Sequence, residues 1–253
     1  MNSNIILEEN LNLKQIFNIY RFEIFLLRKR YILVALLSVI AVILTSLMSL
    51  SSPNAKLFCG STLSQIGSVS YLLTLFFAGG IIANEFDKKT ALTNFTKTGR
   101  DNFFIGKAFA AFSSVLVWFT PALIVTIIFC LIKYNTLSIE LIIWFGYYCL
   151  VGVSCTSLYL LCSALFRSGS QAMIIGFIIF SSSAIVFAVF LFIDPSLPNP
   201  TFIYLELAGQ AIFLGDTAMS GMNIDLLLAI YISLLYLIPC LTISYLRFKS
   251  RDV

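Results

Sequence analysis

The 253-residue chain contains no histidine, and only 11% of its residues are Asp, Glu, Lys or Arg. A water-soluble domain of this length carries about 25% charged residues. This sequence therefore has too little polar side chain to cover a water-facing surface. Without histidine, the commonest metal ligand and the usual general base are missing. The six cysteines include no C-x-x-C pair, so zinc and redox chemistry have no spacing to use. Cys130, Cys149, Cys155, Cys162 and Cys240 fall inside apolar runs and read as small packing groups, while Cys59 stands outside them. A G-x-x-x-x-G-K-[ST] phosphate loop is also missing. Six residues separate Gly99 from Gly106, and Ala108 stands where Ser or Thr is needed.

Apolar residues are abundant: 59% of the chain is hydrophobic, and the mean hydropathy is +0.97. Runs of about twenty apolar residues recur, each long enough to cross roughly 30 Å of hydrocarbon as a helix. The alternation of an outer-membrane barrel is lacking. An all-α polytopic membrane protein is predicted, with spans near 31–50, 67–83, 104–132, 141–166, 171–193 and 226–246. The third run has room to tilt or kink at Thr120-Pro121.

Lys and Arg positions predict the orientation. With a cytoplasmic N-terminus, fourteen cations fall inside: Lys14, Arg21, Arg28, Lys29, Arg30, Lys88, Lys89, Lys97, Arg100, Lys107, Arg167, Arg247, Lys249 and Arg251. Only Lys56 and Lys133 fall outside. Both termini are thus expected in the cytoplasm, in the cell (plasma) membrane. Basic loops holding topology account for the net charge of +4 without any nucleic acid. The polar, acidic start "MNSNIILEEN" does not read as a signal peptide. The sequon Asn94-Phe95-Thr96 falls on the cytoplasmic side and reads as accidental.

Two segments lie outside the spans. In "LNLKQIFNIYRFEIFLLRKR", 11–30, apolar and charged residues mix, which suits an amphipathic interfacial helix that elbows into the first span. The simpler alternative is a first span that begins early. Between spans five and six, "DPSLPNP" forbids a regular helix, and "TFIYLELAGQAIFL" is apolar but too short to cross, with Glu206 inside it. A re-entrant or interfacial segment over about 195–223 is expected. The organisation is then 1–30, a cytoplasmic N-terminus with the interfacial helix, and 31–253, the six-span domain. No soluble domain and no internal repeat stands out.

One polar stretch interrupts the first half, "ANEFDKKTALTNFTKTGRD", 83–101. Glu85 precedes Lys88 and Lys89 at the spacing that favours helix ion pairs. Ala91, Leu92 and Phe95 share an apolar face. Gly99 suits the end of a short helix, and Asp101 is placed to cap the next span. This describes a charged cytoplasmic helix with one apolar face, or a solvated loop with local ion pairs.

The stretch "GGIIANEFDKKTALTNFTKTGRDNFFIGKAFA", 79–110, resembles the segment after the second span in permease subunits of type-2 ATP-binding-cassette (ABC) transporters. That pattern has a small-residue span end, an acidic residue, a charged pair, then Thr and a hydrophobe. A turn follows, and Gly-Lys opens the third span. Glu85, Lys88, Lys89, Thr90, Leu92, Gly106 and Lys107 occupy those places. The chain departs at Lys89, where Gly is commoner, and at "TKTGRD", which lacks the usual proline. Six spans, the N-terminal elbow and the outer segment extend the resemblance over almost the whole chain.

The resemblance implies a coupling loop at about 84–103, with Phe95 beside Leu92 as its apolar anchor. It also implies a cytoplasmic ATPase dimer that binds ATP and Mg, and a second permease copy or related chain. This chain would hold no cofactor, catalytic residue or metal. Rivals from other classes have less to stand on. An ion-coupled carrier needs charge inside the membrane, whereas Lys107, Glu140 and Asp225 sit near span ends, where snorkelling or helix-end electrostatics accounts for them. Intramembrane proteolysis lacks a base or metal ligands, and Ser181, Ser182 and Ser183 read as helix-packing residues. A membrane immunity or assembly protein would use the loop for another partner. The polar span residues Thr74, Ser113, Ser114, Thr126, Ser154, Thr156 and Ser157 suit hydrophobic, amphiphilic or peptide-like cargo among membrane lipids.

Overall fold

The computed structural model describes residues 12–87, 98–193, 200–214 and 224–251. Among these residues every regular element is a helix. They are α1 (Leu13–Met48), α2 (Ala55–Ala78), α3 (Ala83–Asp87), α4 (Arg100–Tyr134), α5 (Glu140–Leu165), α6 (Gly169–Ile193), α7 (Phe202–Leu214) and α8 (Leu226–Ser250). Six stretches are long and apolar enough to cross a membrane; the second of them, Val69–Asp87, takes in the end of α2 and α3. The chain is a multi-pass, membrane-embedded helical protein.

α1 differs from expectation. It runs 36 residues without a break, about 54 Å at 1.5 Å per residue, so no turn separates the N-terminal segment from the first span. Buried Ile16, Ile19, Glu23, Tyr31, Val34, Ser38 and Val42 form one stripe along both halves, and α4 is its main neighbour. Because one partner covers the stripe above and below Arg28, continuing the helix buries more than bending it would. Asn12 caps the start, its Oδ1 accepting from the Lys14 and Gln15 amides.

α2 also starts early, at Ala55 rather than near 67. Asn54 caps it, accepting from the Leu57 amide at 2.8 Å. The polar residues that hid this helix satisfy themselves locally: Ser61 donates to the Leu57 carbonyl at 2.9 Å and Ser64 to that of Ser61 at 3.2 Å. Cys59 therefore lies inside α2, fully buried, and does not stand apart at an outer surface. α4 continues through Pro121 and α8 through Pro239. Asp225 caps α8, accepting from the Leu227 amide at 2.8 Å, as its place in the sequence suggested.

α2 sits at the centre, touching α1, α4, α5 and α7, while α1 pairs with α4 and α5 with α8. Polar side chains join these pairs. Tyr31 donates to the Ala110 carbonyl at 2.6 Å, Ser38 to Trp118 at 2.7 Å, Trp118 Nε1 to Ile66 at 3.0 Å, and Ser154 to Ser233 at 2.8 Å. Such bonds hold helices together where no hydrophobic force acts between them.

α7 packs inside this framework against α2, α5, α6 and α8. Its first residue, Phe202, stacks on Tyr236 at 5.0 Å, about half-way along α8. Tyr147 donates to the Leu205 carbonyl at 2.6 Å, and Tyr148 to that of Glu206 at 3.2 Å. The Tyr148 ring fills the space that a Cβ on either Gly67 or Gly209 would occupy. Two glycines thus let one aromatic ring seat α7 on α2. α6 exposes Ile174, Phe177, Ile178, Ile185 and Phe192; such a surface suits hydrocarbon and not water.

Candidate functional site

Asn12 before α1, Arg251 after α8, the start of α4 and the short helix α3 all meet at one end of the bundle. There α1 and α4 cross closely at Gly106. A Cβ at that position would lie 2.8 Å from the Ile19 side chain and 3.1 Å from the Ile16 carbonyl, so only glycine admits α1 this near. The crossing sets Lys107 beside Glu23 of α1. Lys107 is 2% exposed, and its Nζ lies 2.7 Å from Glu23 Oε1 and 2.9 Å from Glu85 Oε1. The Phe103 ring lies 5.0 Å from the same ammonium. This overturns the snorkelling account of Lys107, which points inward between two carboxylates. A buried ammonium needs such partners, since desolvating it alone costs several kcal/mol or more.

Glu85 belongs to α3, the short helix from which the polar stretch leaves, and the rest of the bundle holds that helix as well. Ser163 of α5 accepts from the amides of Ile82 and Ala83, both at 2.9 Å, satisfying two donors at the α3 start. Asn84 lies against the Gly169 backbone of α6, where a Cβ would overlap its side chain. Phe86 meets Phe248 of α8 at 6.1 Å, and the Arg251 guanidinium lies 3.9 Å over the Phe86 ring. Arg251 also donates to the Ala164 carbonyl at the C-terminus of α5.

The far side of the stretch is anchored too. Gly99 enters α4 with φ 74°, left-handed backbone that glycine adopts freely. Asp101 does not cap the α4 start as expected. Its carboxylate reaches sideways to α8, accepting from Tyr245 at 2.9 Å and Lys249 at 3.3 Å. Arg100 donates to the carbonyls of Lys249 and Arg251. Asn102, nearly fully buried, accepts from the Asn12 amide at 3.0 Å and donates to Gln15 Oε1 at 2.9 Å. Both roots of the polar stretch are therefore locked into the helix framework.

Searches against protein-family models and against curated proteins return no match.

Of the residues expected there, Glu85, Gly106 and Lys107 come together. Lys88, Lys89, Thr90, Leu92 and Phe95 lie outside the described residues, as do the expected pairing of Glu85 with Lys88 and Lys89 and the apolar face of that helix. Sequence reasoning missed Glu23, Asn84, Asn102, Ser163 and Arg251. Glu23 did carry a signal, being the one acid in the apolar run 22–27; Ser163 and Arg251 resemble any other serine or terminal arginine. The span hydroxyls expected to suit hydrophobic, amphiphilic or peptide-like cargo are mostly turned back onto their own helices: Thr74 donates to the Tyr71 carbonyl, Ser114 to Ala111, Thr126 to Ala122 and Thr156 to Gly152. Glu140, the remaining span-end acid, pairs with Lys56 at 3.0 Å at the opposite end of the bundle.

Proposed function

We propose that the chain is the membrane-spanning permease subunit of an ABC exporter, with its polar stretch 84–103 as the element that a partner ATPase grips. In this reading both termini and the stretch face the cytoplasm of the cell membrane. A separate ATPase dimer binds ATP and Mg, and a second permease copy or a related chain completes the assembly. The cargo is hydrophobic, amphiphilic or peptide-like. The inserted helix α7 is the re-entrant outer segment.

The observation that carries this reading is the anchoring of the stretch at both roots. A loop that serves only as a tether needs no buried ion triad. Force applied to residues 88–97 would pass through Glu85 and Lys107 to α1 and α4, through Ser163 to α5, and through Asp101 to α8. A rigid mounting of that kind suits an element that moves whole helices when a partner changes shape. Leu92 and Phe95 supply the apolar contact, because a few buried groups carry most interface energy. The test is co-purification of the partner ATPase with Leu92→Asp, Phe95→Ala and Lys97→Ala, followed by its ATP turnover in lipid. Leu92→Asp and Phe95→Ala are expected to lose the ATPase and its stimulation, and Lys97→Ala to keep most of both. Full assembly with Leu92→Asp defeats the reading.

The triad itself favours a second reading. A buried carboxylate and a half-buried one beside a lysine are the kind of charge an ion-coupled carrier uses to bind its coupling ion. Transport by the chain alone, driven by an imposed proton or sodium gradient and lost in Glu23→Gln, would establish that reading in place of the first.

A further inference from the structure

At the end of the bundle opposite the termini, Cys59 near the start of α2 and Cys130 near the end of α4 come together. Their sulfurs lie 3.1 Å apart although 71 positions separate them in the chain. Both side chains are fully buried. Both are thiols in the structure, yet they sit closer than two unbonded sulfurs ordinarily do, about 1 Å beyond a disulfide bond of about 2 Å. We propose that Cys59 and Cys130 form a native disulfide that staples α2 to α4.

The surroundings hold the two helix ends in register for that bond. Lys133 and Tyr134, in the last turn of α4, donate to the Ser52 carbonyl just before α2, at 3.3 and 2.6 Å. The Phe58 and Tyr134 rings meet at 5.7 Å, and the Lys56–Glu140 pair closes the next gap, to α5. These contacts hold the two helix ends side by side where the thiols meet. The proposal rests on the orientation given above, which turns this end outward, where disulfides persist.

The bond forms by exchange with an oxidising protein or small-molecule disulfide. The Cys59 thiolate attacks one sulfur of the oxidant and expels the other as a thiolate, leaving a mixed disulfide. The Cys130 thiolate then attacks the Cys59 sulfur and displaces the second oxidant thiolate. Two protons pass from the cysteines to the departing thiolates, and the oxidant's disulfide is reduced by two electrons. Because both sulfurs end fully buried, exchange precedes closure of α2 onto α4.

The experiment traps thiols by acid quench and alkylation under denaturing conditions, on the full chain in its membranes and without reductant, followed by mass spectrometry. Of the six cysteines, four are expected to be alkylated before reduction and six after it. Cys59→Ser and Cys130→Ser should each give five before reduction, since each variant releases its partner. Six alkylated thiols in the unreduced wild-type chain overturn the proposal, as does an unreduced count of four or fewer in either variant. Both cysteines lie at the end of the bundle opposite Glu85 and Lys107, so co-purification of the ATPase reads the functional proposal separately. Six free thiols with the ATPase retained would remove the disulfide alone.

Discussion

Lys107 is the residue on which most depends. Its ammonium faces two carboxylates from segments 84 and 22 positions away. Removing it leaves Glu23 buried without its charge partner, and losses of this kind cost about 3–5 kcal/mol. Lys107→Met is therefore expected to unfold at a clearly lower temperature in detergent. Replacing the whole group, Lys107→Met with Glu23→Met and Glu85→Gln, should recover most of the loss, because apolar groups of similar volume often match a buried ion pair. Thermal unfolding of the single and triple variants decides this, and a triple variant no better than the single one refutes it. The triad also shows where residue-level reading failed. A lysine one turn inside a span reads as a snorkelling residue, because neither Glu23 nor Glu85 is near it in sequence.

Among the helices, the α1–α4 pair is decided at one crossing. Gly106→Val would place side-chain carbon against Ile19 and the Ile16 backbone, and overpacking of this kind costs about 1–3 kcal/mol. The strain falls on the helix that presents Glu23, so the variant should also weaken ATPase co-purification. Ile19→Ala in the same chain is expected to restore part of both, because it removes the Ile19 Cγ2 that a new Cβ meets at 2.8 Å and leaves only the Ile19 Cβ and the Ile16 carbonyl close by. Unchanged behaviour on adding Ile19→Ala would mean that the crossing is not held at these residues. The helices themselves were largely legible: five of the six spans start or end within a few residues of their hydropathy limits. α2 reads short in the sequence because Ser61, Thr62 and Ser64 dilute its first turns, and α1 reads as two segments because Arg28, Lys29 and Arg30 look like a boundary. In both cases local polarity was outweighed by a neighbouring helix that covers the same face.

For the whole molecule, the arrangement of charge predicts which end faces the cytoplasm. A membrane-impermeant thiol reagent applied to sealed cells should label Ser51→Cys, exposed after α1, and spare Ser250→Cys, near the end of α8. Native Cys59 should stay unlabelled, since it is buried inside α2. Labelling of Ser250→Cys from outside would reverse the orientation, and with it the coupling role of the polar stretch.

The amino-acid sequence by itself determined the solvent, the helical class and the places where the chain leaves the apolar phase. Those properties are sums over neighbouring residues: roughly twenty apolar side chains in a row cross a bilayer whatever packs beside them. Tertiary structure alone decided which charges meet, which serine caps α3, how far α1 runs unbroken and that two cysteines touch. Each of these is a distance between segments remote in the chain. Such a distance is set by close approach at positions like Gly106 and by the requirement that every buried charge find a partner.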